Sequence, residues 1–540
     1  MKISALALPV RQLLYLCGLL LALGWLPPAQ AASAELSRIE QLLTQKSFKP
    51  RTQAVELLAV TEQAEHWLTL LLDGQLYYHK KSRRLLTAEG LSKGSTAHYL
   101  LSGEALTIDK TRAFKKVRLN NRLRGQIRQL LAGLRLNASD PAIRLTAIDA
   151  LLDKVTPQVV SLVQARASVE TDSKMQEKIA LILAIATLQT PDAQGQQQAI
   201  TTLADSLEPA ARNALTRFVE ATPDAALQQQ AEQALLDIDQ QVRFYGMAET
   251  LYFGLSLGSV LVLAGIGLAI TFGVMGVINM AHGELIMLGA YTTYVVQQLM
   301  PDHIGWSLAV AVPAAFLVSG LVGIGIERGV IRFLYGRPLE TLLATFGISL
   351  VLQQLVRSVF SPLNRSVETP DWMSGMLELN PVLSLTTSRL YIIVFCLMVF
   401  FALLMVLKRT PLGLQVRAVS QNRAMARAMG VRSQWVDALT FGLGSGIAGV
   451  AGVALSQLTN VGPNLGQAYI IDSFMVVVFG GVGNLWGTLV AGLSLGVANK
   501  VMEPWAGAVL AKILVLIFII LFIQKRPRGL FPQRGRAAEG

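Results

Sequence analysis

From residue 251 to residue 524 the chain alternates long apolar runs with short polar breaks. Nine runs stand out, near 251–277, 284–300, 305–326, 341–359, 390–407, 436–458, 468–481, 485–501 and 508–524. Crossing about 30 Å of hydrocarbon takes roughly 20 apolar residues in a helix, and most of these runs approach that length. The seventh and eighth are short and meet at Gly480-Gly-Val-Gly-Asn-Leu-Trp-Gly487, which reads either as two full spans or as a pair of broken half-helices. Before residue 245 the pattern is different. Leu36, Ile39, Leu42 and Leu43 recur at helical spacing and predict helix over 35–65. The stretch Trp67–Tyr78 reads as a β-hairpin turning at Asp73-Gly74, with a further strand around Ala105–Ile108 and helices again after Asn120.

From Asp140 onward apolar stripes repeat over 140–152, 174–189, 195–206, 208–220 and 225–240, punctuated by Pro191, Pro209 and Pro223. Loosely spaced paired helices of this kind resemble a short HEAT-like α-solenoid, which stacks neighbours to bury a common core. The expected fold is therefore an all-α polytopic membrane protein of eight or nine transmembrane helices. It carries an exported, mainly α-helical, HEAT-like N-terminal domain with a small β element.

The start of the chain reads as a secretory signal peptide over 1–31. Lys2 and Arg11 supply the charged region, Leu13–Trp25 the apolar core and Ala29-Gln30-Ala31 the small residues of a cleavage site. The remaining divisions are an exported domain over 32–245, a permease-like membrane domain over 246–525 and a basic cytoplasmic tail over 526–540. Nine crossings from an exported start put the C-terminus inside. The inside segments then hold fourteen basic residues, against Arg357, Arg365, Arg389 and Lys500 outside. This asymmetry follows the positive-inside rule independently of the signal peptide.

Composition narrows the function. The formal charge of +12 gathers beside the spans, with no basic stripe interleaved with aromatics, so anionic lipid fits it better than nucleic acid. Two cysteines, Cys17 and Cys396, lie in the signal peptide and in a span, which excludes an intrachain disulfide in the mature chain. His66, His79 and His98 lack metal-ligand spacing, and His282 with Glu284 lacks the i, i+4 histidine pair of a helical zinc site. No nucleophile sits beside a base, so no catalytic residue, metal or cofactor is expected. No Gly-x-x-x-x-Gly-Lys-Ser/Thr occurs, so any ATPase driving transport is a separate polypeptide.

Polar groups inside spans mark paths, turns or contacts. Asn279, Asn464 and Asp472 are the candidates for a substrate path, with Gln353, Gln354, Gln457, Asn460, Gln467 and Asn484 as further donors and acceptors. His282, Gly283 and Glu284, with Gly480, Gly481 and Gly483, read as turn and structural motifs. The cytoplasmic segment Lys408–Gln434 is predicted to hold a helix over Ala418–Met429 stopped by Gly430. Arg417, Arg423, Arg427 and Gly430 are its candidates for coupling to an ATPase.

Four motifs, in order, resemble the permease subunits of the branched-chain amino acid family of ATP-binding-cassette importers, across roughly 250–532. They are Gly276-Val-Ile-Asn-Met-Ala-His-Gly-Glu284, Gln421-Asn-Arg-Ala-Met-Ala-Arg-Ala-Met-Gly430, Phe479-Gly-Gly-Val-Gly-Asn-Leu-Trp-Gly487 and Arg526-Pro-Arg-Gly-Leu-Phe-Pro532. The second lacks the Glu-Ala-Ala triplet of many importers. Within the family, Asn364-Arg-Ser-Val-Glu-Thr-Pro370, Leu458-Thr-Asn-Val-Gly-Pro-Asn-Leu-Gly-Gln-Ala-Tyr469 and the exported domain resemble the urea-transporter branch. The resemblance implies a permease in the bacterial inner membrane. It implies as partners a second paralogous permease, two cytoplasmic ATPases and a periplasmic substrate-binding protein. It implies urea as substrate, with branched-chain amino acids or short amides as the alternative. A passive urea channel is the alternative of a different class, and it would need no ATPase-docking loop.

Overall fold

The computed structural model describes residues 28–45, 47–61, 63–152 and 154–531. Most of the expected signal peptide, residues 1–27 with Cys17, and the tail beyond residue 531 lie outside the described residues. The chain divides into two compact units, Met1–Ile238 and Asp239–Gly540.

The first unit opens with α1 (Pro28–Leu43), α2 (Phe48–Leu58) and α3 (Ala64–Asp73). They bury Ile39, Leu43, Leu58, Trp67, Leu68 and Leu71 in one core. The hairpin expected over Trp67–Tyr78 is thus half helix. Trp67, Leu68 and Leu71 share a helical face, and Gly74, at φ +70°, ends the helix in the left-handed conformation rather than turning a hairpin. The uninterrupted apolar run Leu70-Leu-Leu72 suits helix and buried strand equally, which is why its pattern misled. Strands β1 (Leu76–His79), β2 (Leu85–Thr87), β3 (Thr96–Tyr99), β4 (Ala105–Thr107) and β5 (Phe114–Lys116) form an antiparallel sheet in the order β4-β3-β2-β1-β5.

Asn120 then caps α4 (Asn121–Arg135), its side chain accepting from Leu123 N. There follow α5 (Pro141–Leu152), α6 (Pro157–Ala167), α7 (Ser173–Thr187), α8 (Ala193–Ala204) and α9 (Pro209–Ala221). α4 packs on α5, α7 receives α5, α6, α8 and α9, and α8 touches α9. Glu170 ties this stack together. Its carboxylate accepts two bonds from Arg144 at 3.0 Å, one from Arg166 at 2.9 Å and two from the amides of Thr171 and Asp172. The Arg144 guanidinium foremost holds the Glu170 carboxyl down at about 2.

Helix α10 (Ala225–Met275) contains the division between the units. The second unit continues with α11 (His282–Leu299), α12 (Ile304–Gly329), α13 (Pro338–Phe360), a β6–β7 hairpin (Met376–Glu378, Ser384–Thr386) and α14 (Thr387–Arg409). It ends with α15 (Pro411–Gln421), α16 (Arg423–Ala428), α17 (Ser433–Ser456), α18 (Leu465–Gly480) and α19 (Leu485–Lys525). Every predicted apolar run is helical. The runs at 485–501 and 508–524 form one helix, broken at Gly507, where φ is +77°. Among the described residues, six helices are long and apolar enough to cross a membrane by length and composition: α10, α12 with its flanking turns, α13, α14, α17 and α19. Nine expected runs become six by this measure, since α18 has 16 residues, α11 falls outside the set, and the runs on either side of Gly507 count once as α19. The glycine-rich α17 is the central helix, buried nearly all round and packed against α11 and α12.

The helix predicted over Ala418–Met429 is two helices. Asn422, extended at φ −148°, separates α15 from α16 and caps α16 through Met425 N at 2.9 Å. An Asn side chain competing for backbone amides explains the break that propensity alone did not show.

Candidate functional site

The first signature folds into the turn between α10 and α11. Asn279 is fully buried, and its Oδ1 accepts from Ala281 N at 3.0 Å, pinning the entry to α11. The His282 ring is also buried, with Nε2 2.8 Å from the Ala264 carbonyl oxygen. Gly283 and Gly466 meet backbone to backbone where α11 crosses α18, so a side chain at either position has nowhere to go.

Along α13 the positions Thr341, Thr345, Ser349 and Gln353 are 2%, 0%, 5% and 6% exposed, whereas Leu343 and Val351 on the same helix are 71% and 65% exposed. Their i, i+4 spacing sets them in one ridge, inverted from the soluble pattern: polar inward, apolar outward. Each has a partner. Thr341 donates to Arg337 O at 2.9 Å, and Thr345 donates to Leu342 O and accepts from Met280 N. Ser349 donates to Glu284 Oε1 at 3.1 Å. Gln353 donates to Asn464 Oδ1 at 3.2 Å, and Arg357, one turn on, donates to the same oxygen at 2.7 Å.

This ladder brings together two of the three path candidates. Asn279 lies at one part of it, one residue from the Met280 amide that Thr345 binds, and Asn464 accepts from its other end. Asp472 takes no part; its carboxylate pairs with Lys512 of α19 at 3.0 Å. Thr341, Thr345 and Ser349 were missed, because single hydroxyls in an apolar run draw no attention. Their four-residue recurrence was the available signal.

The two segments 364–370 and 458–469 are joined by a bridge, Arg365 N to Val461 O at 2.7 Å and Val461 N to Arg365 O at 2.8 Å. The late glycine motif and the terminal box also form one unit. Leu530 N and Phe531 N donate to Phe479 O and Gly480 O, and Gly481 and Gly529, both at positive φ, pack against each other. Gly483, likewise at positive φ, lies against Gly273 of α10.

In the segment 411–430 each arginine is tied to a neighbouring residue, Arg423 half-buried and Arg417 and Arg427 exposed. Arg423 makes a two-toothed pair with the buried Asp437 of α17 at 2.8 and 3.0 Å, and stacks over the Tyr335 ring. Arg427 Nε donates to Ser433 Oγ at 2.7 Å, and Arg417 binds the Leu407 carbonyl. Gly430, at φ +89°, ends α16.

Residues 250–523 match the family model described as "Branched-chain amino acid transport system / permease component". The chain belongs to this family. It is 30% identical over 295 residues to the high-affinity branched-chain amino acid transport system permease protein BraD of Pseudomonas aeruginosa, covering 53% of this chain and 96% of that protein. It is 29% identical over 300 residues to the corresponding LivH protein of Escherichia coli, again 53% and 96%. A shorter likeness, 30% over 109 residues, links it to the ribose import permease protein RbsC of Escherichia coli, covering 19% of this chain and 34% of that protein. No solved structure matches. The family's members are transport permeases, so this chain is a membrane transport component and not an enzyme.

Proposed function

We propose that this chain is the membrane-spanning permease subunit of an ATP-driven importer in a bacterial inner membrane, and that its solute passes along the polar ladder of α13. The carrying observation is that ladder: four buried polar side chains on one ridge of a span that exposes Leu343, Leu350, Val351 and Leu355 on its other side. Burying an unpaired amide or hydroxyl costs roughly 1–3 kcal/mol, so a solute shedding water needs replacement partners along its route. The exported 32–245 domain stands outside with the signal peptide removed, eight or nine crossings follow, and the 411–430 segment meets the ATPases. A second permease, two ATPases and a substrate-binding protein complete the transporter.

Branched-chain amino acids are the leading substrate class, from the transport systems to which BraD and LivH belong by name. Urea is the second reading, favoured by one observation. The two segments resembling the urea branch are bridged to each other, and the second of them carries Asn464 onto the ladder. Uptake of labelled leucine and labelled urea into vesicles holding the assembled transporter decides both points. ATP-dependent accumulation of either solute supports an importer, and the solute accumulated names the substrate. Flux indifferent to ATP would instead make the protein a passive channel.

A further inference from the structure

We propose that Arg357 and Glu284 are two successive ionic stations for a zwitterionic solute on the α13 ladder, Arg357 receiving its carboxylate and Glu284 its ammonium group. This rests on the importer reading above and, within it, on the amino-acid reading of the substrate.

Glu284 is 1% exposed. Its Oε1 accepts from Ser349, while Oε2 has no hydrogen-bond partner, and it forms no ion pair among the described residues. A buried carboxylate carries a desolvation cost of several kcal/mol, offset only by a cation or a full set of donors. The protein supplies one hydroxyl from the ladder and leaves the other oxygen for something else. Arg357, half-buried at the far end of the same ridge, makes one side-chain hydrogen bond among the described residues, to Asn464. A guanidinium has five N–H donors in a fork that suits a carboxylate. Ser349, which holds Glu284, and Arg357 are eight residues apart on one helix, about 12 Å at 1.5 Å per residue. The Arg357 guanidinium reaches back from that backbone position to the Asn464 oxygen that Gln353 also binds, so the two ions lie in order along the ridge with Gln353 between them as a neutral step. Urea is uncharged and would gain hydrogen bonds but no ion pair from either.

The test uses the assembled transporter and three variants, Glu284→Gln, Glu284→Asp and Arg357→Gln. Leucine KM and maximal rate are measured per amount of assembled complex, with leucinamide, which keeps the ammonium group, as competitor. Loss of one charge-assisted hydrogen bond corresponds to about a tenfold change. Glu284→Gln is expected to lower leucine uptake by about that factor and to lose leucinamide competition, with Glu284→Asp retaining both. Arg357→Gln is expected to raise the leucine KM about tenfold while leaving leucinamide competition in place. Wild-type leucine kinetics in Glu284→Gln would overturn the proposal. So would failure of that variant to assemble combined with an unchanged leucine KM in Arg357→Gln. A wild-type transporter that carries urea and ignores leucine is a different failure. It would remove the amino-acid reading before the variants are compared.

Discussion

Arg423 shows how a single residue changes meaning between sequence and structure. On a cytoplasmic loop rich in alanine it looks like a free charge waiting for a partner protein. In the fold it is committed to Asp437, which is 1% exposed at the start of α17. Its role is to hold α16 against that helix, and any contact with an ATPase depends on this anchoring. Arg423→Asp places two carboxylates together and is expected to abolish uptake. The exchanged pair, Arg423→Asp with Asp437→Arg, is expected to restore part of it; a dead exchange variant with normal assembly would argue for direct contact instead. Breaking a buried ion pair typically costs about 3–5 kcal/mol. The same arithmetic applies to Glu170, where Glu170→Gln leaves Arg144 and Arg166 without their carboxylate. Because the folded carboxyl sits near 2, below its ordinary 4.5, its stabilisation is full above pH 4.5 and is lost as pH falls toward 2. Protection of α5–α7 amides from hydrogen exchange, taken against the intrinsic rate at each pH, should fall over that window in the full-length protein and no longer show that step in Glu170→Gln.

At the scale of elements, the apolar runs were legible because a bilayer demands length and continuity that few other contexts impose. Where an element's character depends on one local bond, the pattern failed. Gly74 stopped a helix where a hairpin turn was expected, and Asn422 divided a stretch rich in helix-favouring residues. The ladder of α13 escaped notice for another reason. Ser and Thr are tolerated in any span, and only the partners Met280, Glu284 and Asn464, distant in sequence, distinguish a buried ridge from a lipid-facing one. The α11–α18 crossing gives a direct check on packing. Gly466→Val, facing the Gly283 carbonyl, is expected to lower stability by about 1–3 kcal/mol through overpacking. Less assembled complex and an earlier thermal transition would show it, whereas unchanged assembly would mean the helices are not seated as described.

For the whole molecule, the motifs read separately along the chain converge in pairs. The first signature meets the ladder, the late glycine motif holds the terminal box, and the segments 364–370 and 458–469 bridge each other. Such convergence is what a permease built around one route requires. Orientation follows from charge, and reporter fusions at Thr222 and Gln533 are expected to report opposite sides of the membrane; matching sides would break the topology. The route itself is tested most directly by cysteine scanning of α13 in a cysteine-free background of the assembled transporter. Single cysteines at 341, 345, 349 and 353 should react with a membrane-impermeant thiol reagent during ATP-driven cycling and be protected by substrate. Cysteines at 343, 350 and 351 should not react. Reactivity without the four-residue period, or a ladder silent throughout the cycle, would contradict a path along α13.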